Sequence, residues 1–104
     1  MKRSLLLLLS SLAATMTAAA PVYLVCTPRG GGDTLPVMFD ERSQSVRLRG
    51  KPAKRVDISR HTVEFETESR EGKPAQVRID RTNGRMDVRQ IGGNARLEYR
   101  CERE

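Results

Sequence analysis

The chain contains no tryptophan, one histidine, two cysteines and four aromatic residues in all, Tyr23, Tyr99, Phe39 and Phe65. Each shortage excludes something. With His61 alone and no third cysteine, no ligand cluster at zinc spacing can be assembled. The same shortage removes the usual general bases and thiol nucleophiles. Ser43, Ser45, Ser59 and Ser69 stand in turn-like polar surroundings, without the Gly-x-Ser-x-Gly setting of a nucleophile elbow. So few aromatics leave nothing on which nucleic-acid bases would stack. They allow one modest core and no more. After residue 20 no stretch repeats apolar residues at the helical period. The reading is of a non-enzyme with no cofactor, no metal site and no nucleic-acid partner.

The one long apolar run is at the start. Lys2 and Arg3 precede Leu5–Leu9, the run continues to about Ala14, and small residues fill Thr15 to Ala20. That order, positive then apolar then small, is the pattern of a secretory signal peptide. Ser10, Ser11 and Thr15 break the run well short of the roughly 20 apolar residues that a membrane span needs. Residues 1–20 are therefore read as a cleaved signal peptide and 21–104 as a single domain, periplasmic or secreted. A lipid anchor on Cys26 is disfavoured, because Val25 and Tyr23 spoil the small-residue pattern before it.

In an oxidising compartment Cys26 and Cys101, near the two ends of the domain, read as a disulfide. Closing so long a loop stabilises by about 4–5 kcal/mol in the chain-entropy picture. A domain this small gains from such a staple because its core is limited.

From Pro21 onward apolar and polar residues alternate at the strand period. Val22, Leu24 and Cys26 point one way; Leu35, Val37 and Phe39 follow, then Val46 and Leu48, Val56 and Ile58, and Val63, Phe65 and Thr67. Val77 and Ile79, Met86 and Val88, and Leu97, Tyr99 and Cys101 complete the series. Turn residues separate the runs, and Asn83-Gly84 marks a hairpin. The fold class predicted is all-β: a small antiparallel meander of about seven or eight strands, barrel or sandwich.

Carboxylates offer little chemistry. Glu64 and Glu66 share a strand face and Asp40-Glu41 share a turn, but abundant arginine keeps such pairs ionised rather than splitting their pKa values. Asp33, Asp40 and Glu41 lack the EF-hand spacing. Gly30-Gly31-Gly32 leads into a strand, so no helix terminus is present to receive phosphate.

Charge is the more informative feature. The chain carries 19 basic and 13 acidic residues; without Lys2 and Arg3 the domain retains a net +4. Arginine outnumbers lysine fifteen to four. Arg78, Arg85, Arg89, Arg96 and Arg100 fall on the outward side if the last strands are neighbours. Guanidinium suits bidentate contact with carboxylate or phosphate, so this face is the candidate site for an acidic protein or an envelope polyanion. Asp80, Asp87 and Glu98 share the same side and compete for those arginines.

The Tyr-x-x-Cys start (Tyr23 to Cys26), the Tyr99-Arg100-Cys101 close and the hairpin Ile79-Asp80-Arg81-Thr82-Asn83-Gly84-Arg85 resemble small exported bacterial proteins of uncharacterised function with one disulfide-tied β domain. The resemblance implies export and fold. A more distant likeness, in layout, is to the periplasmic inhibitors of C-type lysozyme, which are disulfide-tied β-barrels. Their Ser-Gly loop and later tryptophan-containing stretch are both missing here, so no inhibitory residue carries over. An inhibitor of a secreted hydrolase would act through the loops Arg29–Thr34 or Ser69–Pro74.

Overall fold

The computed structural model describes residues 20–69 and 71–104. The segment read as a signal peptide lies, but for Ala20, outside them.

Nine antiparallel strands form one continuous sheet: β1 (Val22–Pro28), β2 (Leu35–Asp40), β3 (Ser45–Leu48), β4 (Lys51–Pro52), β5 (Lys54–Ile58), β6 (Thr62–Glu68), β7 (Pro74–Asp80), β8 (Arg85–Gln90) and β9 (Arg96–Arg103). Their order across the sheet is β4-β3-β2-β1-β9-β8-β7-β6-β5. The sheet curls into a nearly closed barrel, which decides the question of barrel or sandwich. No helix occurs among the described residues, and none is long and apolar enough to cross a membrane.

The ninth strand comes from a turn that the sequence presents only as a break. Arg49 and Gly50 both take positive φ, 50° and 82°. That is the conformation of a two-residue hairpin turn whose twist matches its strands, so Lys51-Pro52 folds back beside Leu48-Arg47. Proline is tolerated there because β4 is an edge. Only Ala53 separates β4 from β5, so residues 51–58 act as one bent strand. Its first part pairs with β3 and its second with β6. The bend coincides with Arg55 at φ 52° and a register shift between Lys54 and Asp57. Such a corner lets one strand serve both margins of a barrel.

Side chains lace the seam. The Gln44 amide imitates a strand backbone: its Nε2 donates to the Ile58 carbonyl at 3.2 Å and its Oε1 accepts from the Ile58 N–H at 2.9 Å. Arg81 reaches across the same barrel end. It donates to the Ser59 carbonyl and to Glu41 Oε1, and its guanidinium lies 5.2 Å from the centre of the Phe39 ring. That stacking adds a cation–π attraction to the two hydrogen bonds.

The inward residues are those the alternation selects. Phe65, Ile79, Met86, Val37, Val63 and Val77 are almost wholly buried, and among the described residues no polar or charged one is buried with them. Burying each such side chain contributes about 1.5–3 kcal/mol. Cys26 stands opposite Cys101 in the β1–β9 ladder, and the two form the disulfide, a bond compatible with an oxidising compartment.

Two expectations are refined. Leu97 has the inward parity of β9 yet is 58% exposed. The paired strand β1 ends at Pro28 opposite Tyr99, so among the described residues no strand continues over Leu97 at the loop end. The Asn83-Gly84 hairpin forms, but as a four-residue loop between Asp80 and Arg85. Only Gly84 takes positive φ, and its N–H donates to the Asp80 carbonyl at 2.8 Å. A Cβ on Gly84 would lie 2.4 Å from the Cys101 carbonyl oxygen. Glycine is required there by backbone conformation and by space together.

Candidate functional site

The disulfide fixes the register from which the arginine face follows. With Cys26 opposite Cys101, Thr27 stands opposite Arg100, and Arg100 in turn faces Arg85 on β8. Inward cysteines make Arg100 outward, because side chains alternate across a strand. Arg85, Arg89, Arg96 and Arg100 therefore share the outer wall of β8 and β9, and Arg78 joins them from β7, opposite Asp87. All five are exposed.

The face is striped rather than uniformly positive. Directly opposed pairs run Arg85 with Arg100, then Asp87 with Glu98, then Arg89 with Arg96. Each is a like-charge pair, an arrangement that costs stability unless neighbours compensate. The first two stripes compensate each other. Arg85 Nη2 donates to Glu98 Oε1 at 2.7 Å, and its Nε lies 3.7 Å from Asp87. The third has no such relief: Arg89 reaches only the Gln76 amide oxygen, at 3.4 Å. Arg89, Arg96, Arg100 and Arg78 form no ion pair with a carboxylate among the described residues.

Arg29 is the residue that sequence reading left in a loop. Its N–H donates to the Glu98 carbonyl at 2.9 Å, extending the β1–β9 ladder by one step, and its Nη1 donates to Glu98 Oε2 at 2.7 Å. The signal for it was present: counting on from Cys26 opposite Cys101 places residue 29 beside 98. The Glu98 carboxylate is thus gripped by two guanidiniums, one on each oxygen. The hydrogen bond from Arg29, then that from Arg85, hold its pKa below the ordinary glutamate range against the opposing effect of desolvation. Asp80, at the edge of the face, is lowered chiefly by the Thr82 hydroxyl and backbone N–H that it accepts.

Arg29, Arg85 and Arg100 line a shallow cleft with Thr27, Asn83 and Glu98. Glu102 lines it too, so three guanidiniums stand around two carboxylates, and the cations that Glu98 leaves unengaged are suited to contact with an anion. His61, the one imidazole, lies exposed between β5 and β6, on neither the cleft nor the arginine stripes.

No family model, curated protein or solved structure matches this chain.

Proposed function

We propose that this chain is an exported, non-enzymatic binding module that holds an acidic partner through the outer wall of β8 and β9. One observation carries the reading: Arg89 and Arg96 stand directly opposed with no carboxylate to relieve them, and unpaired Arg100 lies beyond the acidic stripe. A surface keeps such a pair at a cost in stability, and an anion bridging both guanidiniums removes that cost. The partner is an acidic protein segment or an envelope polyanion. Export is supported by the apolar leader with its positive start and by a disulfide joining the domain's first and last strands.

The test uses poly-L-glutamate as probe at low and moderate salt. The double reversal Arg89→Glu with Arg96→Glu is expected to weaken binding at least about tenfold and to flatten the salt dependence. The same reversal at Arg85 should do less, since Glu98 and Asp87 already engage it. Undiminished binding by the double variant at low salt would refute the reading.

A second reading, an inhibitor of a secreted hydrolase, has its own observation. The connections after β1 and after β6 emerge at the same barrel end, where Leu97 and Ile91 are also exposed. Leu97→Ser with residues 29–34 replaced would abolish such an activity, while Arg89→Glu with Arg96→Glu would spare it.

A further inference from the structure

The wall of β1 and β2 is apolar on its outside as well as its inside. Val22, Leu24 and Cys26 face the core, yet between them Tyr23 and Val25 point outward; in β2, Pro36 and Met38 do the same between Leu35, Val37 and Phe39. The register makes a block of the four: Tyr23 stands opposite Met38, and Val25 opposite Pro36. Tyr23 is 54% exposed and Pro36 is exposed. Val25 and Met38 are half-buried; strands apolar on both faces are the mark of a sheet covered on both sides, and among the described residues no further element lies over the outer side.

The margins of the block carry opposite charge. On the β3 side Met38 is opposite Arg47, and Pro36 accepts the backbone N–H of Arg49. On the β9 side Val25 is opposite Glu102, and Tyr23 accepts the backbone N–H of Glu104. Two rows result, Arg47–Met38–Tyr23–Glu104 and Arg49–Pro36–Val25–Glu102, each running from positive through apolar to negative.

We infer that this face is where a second copy of the chain docks, about a two-fold axis parallel to the strands. A rotation about that axis lays β1 of one copy over β2 of the other and keeps each row in step. Met38 then meets Tyr23, Pro36 meets Val25, and Arg47 of one copy faces Glu104 of the other. Turning the axis across the strands would instead exchange the rows and set Arg47 against Arg49 and Glu104 against Glu102, so the charges choose the orientation. A surface complementary to itself is what a two-fold interface requires, and the arginine stripes on β8 and β9 play no part in it.

Sedimentation equilibrium on the oxidised chain as recovered from expression tests this, from micromolar to millimolar concentration. A reversible dimer is expected. Met38→Glu and Arg47→Glu should each weaken association at least about tenfold with an unchanged circular dichroism spectrum, because both sites face outward. Adding Glu104→Arg to Arg47→Glu should restore it, and Arg89→Glu with Arg96→Glu should leave it unaltered. A monomer throughout the range, a dimer indifferent to Met38→Glu, or a charge exchange that fails to restore association would each overturn the inference.

Discussion

Two neighbouring quarters of the barrel wall make the same inner surface and opposite outer ones. The β1–β2 quarter puts Leu24, Cys26, Val37 and Phe39 into the core, and β8–β9 puts Met86 and Cys101 there. Outside, the first shows Tyr23, Val25, Pro36 and Met38, whereas the second shows stripes of arginine and carboxylate. Inner residues are exchangeable in kind, because burial asks for apolar volume and fit. Outer residues are free of that demand, so their departure from a mixed polar surface needs another cause. The two quarters meet at the β1–β9 ladder, and the disulfide crosses that junction.

The largest effect should come from cutting the junction. Cys26→Ala with Cys101→Ala removes a cross-link spanning 75 positions and should cost about 4–5 kcal/mol in denaturant unfolding. A loss below about 1 kcal/mol would mean that the two quarters hold together without it. Gly84→Ala strikes the same junction from the hairpin side. Positive φ and the approach to the Cys101 carbonyl together should cost about 2–4 kcal/mol, visible as a lowered melting temperature.

Smaller changes separate the outer faces. Arg96→Glu places a carboxylate opposite Arg89 and should raise stability by about 0.5 kcal/mol. A fall instead would show that the like-charge stripe is no burden and would take away the observation behind the proposed function. The gentlest probe is acid. Because the folded pKa of Glu98 is lowered, its contribution is complete above the ordinary glutamate pKa of about 4.3 and is lost as pH falls through the folded value. A carboxyl titration followed by NMR should place Glu98 below the ordinary glutamate value, and Arg29→Ala should move it upward. An unmoved midpoint would mean that Arg29 does not hold the carboxylate.

Much of this was legible in the residues. Period-two alternation gave the strand class and the inward set from Val22 to Cys101 except Leu97, because a two-sided sheet repeats every second residue whatever its topology. The cysteine pair fixed the β1–β9 register, whereas the common side of Arg78, Arg85, Arg89, Arg96 and Arg100 followed from alternation only on the condition that the last strands are neighbours, which the structure supplies. Arg29 could have been reached by the same counting. The two-residue hairpin at Arg49-Gly50 was harder to see: arginine gives no warning of positive φ, and Pro52 argues against a strand anywhere but an edge.

By itself, then, the sequence determined which residues turn inward, that strands form, and which two strands are clamped together, since these depend on local alternation and on one covalent bond. Only the tertiary structure decided how the sheet closes. Gln44 stands in for a strand beside Ile58, and Arg81 joins β2 to β5 through contacts remote in the chain. It also decided what each outward residue faces. Whether an arginine is held by Glu98 or stands against another arginine depends on strand order and register, which no single strand specifies.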